Sequence, residues 1–289
     1  MAELINIVLR FALYVDVLLL FGLALFALYS ADSALRFRPM LRGMALIAAL
    51  LSVAGLLLMT STMSGETAIA ALWPHLQMML RETDVGFAWA IRIAALTVLL
   101  IRPGAWLASI SGGVALASLA WSGHGAMDEG ALRFWHFFSD ILHLLAAGAW
   151  LGAMLALLLM AQGRVDAPRL RLLIAAVKRF EWVGAAIVLT LTVTGVMNYL
   201  FIVGPKLNDV VLSSYGVLLT IKVLLFALML LLAALNRFHL GPALKQALFD
   251  ADATLAVNAL RRSVRLELAL ALLIVALVAW LGTLSPEAG

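Results

Sequence analysis

The chain has 289 residues, 65% of them hydrophobic and 12% charged, with no cysteine and a formal net charge of +4 at pH 7. The apolar residues arrive in unbroken runs of about 20, the length that crosses a roughly 30 Å hydrocarbon layer as a helix, which excludes a soluble globular class and argues against the alternating strands of a β-barrel. The missing thiols exclude a disulfide framework and any thiolate metal centre, and the pI near 9.8 needs no nucleic acid, because basic loops beside anionic lipid headgroups account for it.

An all-α polytopic membrane protein is therefore expected, a single integral membrane domain over 1–289 with eight spans at 4–29, 40–63, 85–101, 104–121, 136–160, 181–203, 215–235 and 264–284. The first run starts at Leu4 without a basic leader and continues to Tyr29, too long for a signal-peptide core. It contains Arg10 and Asp16. The second connection opens on Trp73-Pro74-His75-Leu76-Gln77-Met78-Met79 and reads as a loop. Only Arg102-Pro103-Gly104 separates the third and fourth runs, a turn that predicts a hairpin. Arg92, Lys222 and Glu267 fall inside later spans, where unpaired charge costs several kcal/mol, so pairs such as Asp16 with Arg92 or Lys222 are expected. Gly148, Gly152, Gly184, Gly195 and Gly216 permit close helix approach.

Orientation follows from the lysines and arginines. Fourteen of them flank the odd-numbered connections: Arg36, Arg38, Arg42, Arg102, Arg164, Arg169, Arg171, Lys178, Arg179, Arg237, Lys245, Arg261, Arg262 and Arg265. The even-numbered connections hold three, Arg81, Arg133 and Lys206. The odd connections are thus expected in the cytoplasm, with both termini periplasmic.

With that sidedness, four of the five histidines, His75, His124, His136 and His143, map to the outer side, together with Met59, Met63, Met78, Met79 and Met127. Met59 and Met63 stand one helical turn apart. His136, Asp140 and His143 share one helix face at spacings of four and three, the last two one and two turns deeper than the first. Ionisable groups in a span are by default a functional hypothesis, and imidazole, thioether and carboxylate are the donors of a copper site without cysteine. Asp140 reads as an acceptor that orients His143 or His136. The same trio also fits a proton relay, or polar contacts between helices. No nucleotide-binding motif and no internal repeat is visible, and no enzymatic activity is expected.

Trp121-Ser122-Gly123-His124-Gly125, followed by Phe137-Phe138-Ser139-Asp140-Ile141-Leu142-His143 and on to Gly148-Ala149-Trp150-Leu151-Gly152, resembles the CopD/PcoD family of bacterial inner-membrane copper-resistance proteins. Leu191 to Asn198, Tyr215 to Lys222, Asn236-Arg237 and Arg262 to Glu267 carry the resemblance downstream. It implies eight helices in the bacterial plasma membrane, copper movement from periplasm toward cytoplasm, a separate periplasmic carrier of the CopC type as partner, and His124, Asp140, His143 and Trp150 as signature residues. Met59, Met63, His75, Met78, Met79, His124 and Met127 are then expected to capture copper ahead of a deeper His136/His143 site. A b-type haem protein is the rival from another class, needing two facing histidines at one depth. A non-transporting scaffold that delivers copper to oxidase subunits is the third reading.

Overall fold

The computed structural model describes residues 2–30, 34–102, 104–122, 130–163, 165–204, 213–248 and 253–284. Among them there is no strand. The helices are α1 (Ala2–Tyr29), α2 (Ala34–Ser64), α3 (Ile69–Glu82), α4 (Asp84–Ile101), α5 (Ala105–Ala117), α6 (Gly130–Met160), α7 (Ala167–Ile202), α8 (Ser214–Leu235), α9 (Gly241–Gln246) and α10 (Thr254–Leu281). Local chemistry sets several starts. The Thr83 hydroxyl accepts from the Gly86 amide at 3.0 Å, Asp166 from Arg169 at 3.1 Å with Pro168 just inside the helix, and Ser213 from Gly216 at 3.0 Å.

Seven of the described helices are long and apolar enough to cross a membrane, which makes this a multi-pass membrane protein. The fourth predicted span is not among those seven: it is a shorter apolar helix, Ala105–Trp121. α5 rises only about 20 Å before Ser118–Ser122 tighten into a 3₁₀ turn. Arg92 of α4 explains the break. Its Nε donates to Ser118 Oγ at 2.8 Å and its Nη2 reaches the Ser118 carbonyl at 3.4 Å, while Ser118 Oγ donates to the Ala115 carbonyl at 2.7 Å. The partner of this buried guanidinium is a helix C-terminus, where the peptide dipoles leave partial negative charge. The expected Asp16–Arg92 pair is therefore not formed: Asp16 Oδ2 is buried without a hydrogen-bond partner. α4 and α5 pack as the expected hairpin.

The second connection departs from its reading as a loop. Residues 69–82 form α3, with Leu72 and Met79 turned inward at a spacing of seven and Ile69, Trp73 and Met78 exposed. Heptad-spaced burial is an amphipathic helix pattern, which Pro74 in the middle of the segment obscures.

α1 is the central helix. Val17, Leu20, Leu23, Ala24 and Phe26 are wholly buried, and α1 packs on α2, α5, α6 and α10. Its crossing with α6 is close, because a Cβ at Gly22 would overlap the Gly148 carbonyl and one at Gly152 would overlap the Gly22 backbone. Gly148 and Gly152 form a small-xxx-small face that lets the two backbones meet. α7 lies on α6 and α8 on α10. Two arginines tie helix ends at the far side: Arg179 donates to the Tyr29 carbonyl at 2.8 Å, and Arg261 to the Ala161 and Gly163 carbonyls.

Candidate metal-transfer site

α6 enters the bundle carrying His136, Asp140 and His143, and α7 faces it with Thr194, Asn198 and Phe201, spaced four and three along one side. His143 Nδ1 lies 2.8 Å from Thr194 Oγ1. That hydroxyl has a single proton and directs it to the Thr190 carbonyl at 2.6 Å. The threonine oxygen therefore accepts from His143 Nδ1–H, and Nε2 keeps its lone pair. This is the tautomer of a metal-ligating imidazole. Gly195 adds to the arrangement, since a Cβ there would touch His143 Cε1 at 3.8 Å.

Asp140 stands between two partners. Asn198 Nδ2 donates to Oδ1 at 2.7 Å, and Oδ2 lies 3.7 Å from His136 Nε2. His136, only 1% exposed, stacks on Phe201 with ring centroids 5.1 Å apart. The sequence leaves open which imidazole Asp140 orients; the contact found is with His136, and the Nδ1 partner of His143 is Thr194. Thr194 and Asn198 are site residues that sequence reasoning misses. Their spacing of four opposite an intramembrane histidine is the available signal.

His143 and Asp140 line a cavity of about 170 Å³, walled also by Asn198, Tyr199, Tyr215 and Lys222 and by Arg10 and Tyr14 of α1. Asp140 interacts electrostatically with Lys222. Gly282 makes room for Arg10, because a Cβ there would collide with the guanidinium. Polar groups from four helices thus converge inside the bundle. His136 is not on this wall, and it stands seven residues, about 10 Å of helix, from His143. Among the described residues no group of three or more histidine and carboxylate side chains is close enough to hold a metal ion together.

Arg10, Tyr14 and Leu119 also belong to a second cavity, about 280 Å³, between α1, α2 and α4. Met59 and Met63 line it. The hydroxyls of Thr60 and Thr62 are tied back to the Leu56 and Leu58 carbonyls at 2.9 and 2.8 Å, so the thioethers are the soft donors this stretch presents. The remaining predicted ligands divide. His75 and Met78 are exposed on α3. Met79 is buried, its sulfur 3.4 Å from Thr83 Oγ1, and its carbonyl sits against Gly86 of α4, which is a packing environment. His124 and Met127 lie outside the described residues. An exposed His75 supplies no second imidazole facing His143, so the described residues give the haem reading no support.

The helices and this converging polar pocket define a polytopic membrane protein with titratable side chains inside its bundle. Two family descriptions match the chain: "Copper resistance protein D-like, N-terminal domain" over residues 1–134 and "Copper resistance protein D" over residues 174–281. A copper resistance protein D from Pseudomonas syringae pv. tomato is 48% identical over 99% of this chain and 98% of its own length. The inner membrane protein YebZ of Escherichia coli (strain K12) is 26% identical over 97% of this chain and 98% of its own. No solved structure matches. The chain belongs to the copper resistance protein D family and is a copper-resistance membrane protein.

Proposed function

We propose that this chain binds copper at its periplasmic side and moves it across the bacterial inner membrane toward the cytoplasm, as a carrier without catalytic chemistry. The observation that supports this most is the pair of cavities sharing the Arg10–Tyr14 wall, one bearing Met59 and Met63 and the other His143 in its ligating tautomer beside Asp140. Thioethers favour Cu(I), and a single imidazole with a nearby carboxylate holds the ion only loosely. Weak successive sites suit passage, because closed tight coordination would trap the ion. The nearby cations Arg10 and Lys222 shorten its stay further. The excess of lysine and arginine at the odd connections supports placing the Met59/Met63 end outward, and a separate CopC-type carrier would deliver the ion there.

The test is uptake of Cu(I) into proteoliposomes holding a chelator inside. His143→Gln keeps hydrogen-bonding capacity but replaces the imidazole, and is expected to abolish uptake while the protein stays folded. The Met59→Leu/Met63→Leu pair conserves volume and is expected to raise the copper concentration needed for half-maximal uptake about tenfold, whereas Met79→Leu leaves it unchanged. Wild-type protein that binds copper but gives no uptake would overturn the carrier reading in favour of a scaffold.

A further inference from the structure

Beyond His143 lies a cavity of about 490 Å³ bounded by α6, α7, α8 and α10, which shares His143, Tyr199 and Lys222 with the polar cavity. Its lining is mostly hydrocarbon. One soft donor interrupts it, Met229, buried on α8. Trp150 then forms a common wall with a further cavity of about 420 Å³ toward the opposite end of the bundle. There Glu267 of α10, 1% exposed, shares the cavity wall with Met154 of α6 and with Asn236, the first residue of a π-helical turn over Asn236–Leu240. Single π turns inside helices concentrate at functional sites.

The electrostatics of this spot are incomplete. Glu267 Oε1 accepts from Asn236 Nδ2, and the Trp150 indole N–H faces the same carboxylate without closing a hydrogen bond of normal geometry. No basic side chain among the described residues pairs with it. Arg237 lines the cavity but lies over the rings of Trp182 and Phe238, at 6.0 and 5.8 Å. Asn236 Oδ1 is buried with no partner. A buried carboxyl beside an orphaned carbonyl oxygen takes up either a proton or a cation, because an isolated buried anion is costly, and a site that exchanges one for the other can receive and release an ion.

We infer that Glu267, Asn236 Oδ1 and the Met154 thioether form a second, inner cation site that receives Cu(I) from the His143 cavity by way of Met229. The thioether supplies the soft donor and the carboxylate the compensating charge. This inference rests on the carrier reading, and it adds the exit half of the route.

The test uses the full chain in proteoliposomes, with Cu(I) outside and a chelator inside, together with Cu(I) stoichiometry per chain measured by chelator competition. Glu267→Gln preserves shape and hydrogen bonding while removing the charge. It is expected to bind one Cu(I) fewer and to lower delivery to the lumen at least tenfold, while copper is still captured at the outer sites. Met154→Leu is expected to act in the same direction. His143→Gln, by contrast, stops copper before it reaches the inner site. Wild-type stoichiometry and delivery in both folded variants would overturn the inner site and leave the carrier reading standing. If the wild type delivers no copper, the carrier reading falls and stoichiometry alone decides the inner site. Should Glu267→Gln not fold, the stoichiometry and delivery of Met154→Leu decide between a site and its absence.

Discussion

At the scale of single residues, the site depends on one hydroxyl. Thr194 accepts from His143 Nδ1 while donating to the Thr190 carbonyl, so it selects the tautomer without bearing charge. Thr194→Val is nearly isosteric and removes that selection. Copper affinity is expected to fall about 10 to 100-fold, the usual effect of losing a partner behind a ligating histidine, with the thermal transition of the detergent-solubilised protein little moved. An unchanged affinity by Cu(I) competition would reduce the His143–Thr194 contact to helix packing. His143 and Asp140 are legible from the sequence because ionisable groups in hydrocarbon are conspicuous. Thr194 and Asn198 are not, because threonine and asparagine in a span are unremarkable until the rotation of α7 about α6 is known.

At the scale of elements, the position of the site follows from how α6 is seated. Its glycines meet the Gly22 backbone of α1, and that contact holds the stretch from His136 to Trp150 against the helix that supplies Arg10 and Tyr14. Gly152→Val places branched bulk against backbone that has no rotamer with which to yield, so the cost should reach or exceed the roughly 1–3 kcal/mol typical of overpacking. A lower thermal transition and less protein in the membrane are expected. Gly104→Ala serves as the comparison, since a Cβ there meets nothing within 4 Å. The glycine pattern announces close approach, but the partner helix is visible only in three dimensions. The same holds for α5 and Arg92, where a serine at a helix end takes the role that reading charges alone assigns to a carboxylate.

At the scale of the whole molecule, the bundle has two chemically distinct ends. Arg179 and Arg261 secure helix-terminal carbonyls at one of them, while Met59, Met63 and Trp89 surround a cavity toward the other. α7, 36 residues long, would extend about 54 Å and overshoots a ~30 Å hydrocarbon layer; its basic first turns, with Arg169, Arg171, Lys178 and Arg179, belong outside that layer. Reporter fusions after Gly163 and Pro242 are expected to read cytoplasmic, and those after Glu66 and Leu284 periplasmic. A cytoplasmic reading after Leu284 would break the eight-span topology and reverse the side on which Met59 and Met63 stand.

Helix class, approximate span positions and the intramembrane charges were determined by the sequence itself, because burial in lipid demands long apolar runs and makes each exception visible. The amphipathic α3, the short α5, the partners of Arg92 and His143, and the shared walls of the cavities were decided only by tertiary structure. Within lipid, nearly every helix face is apolar, so periodicity alone does not reveal which face meets which. Close approach of small residues and the need of each buried polar group for a partner settle that choice.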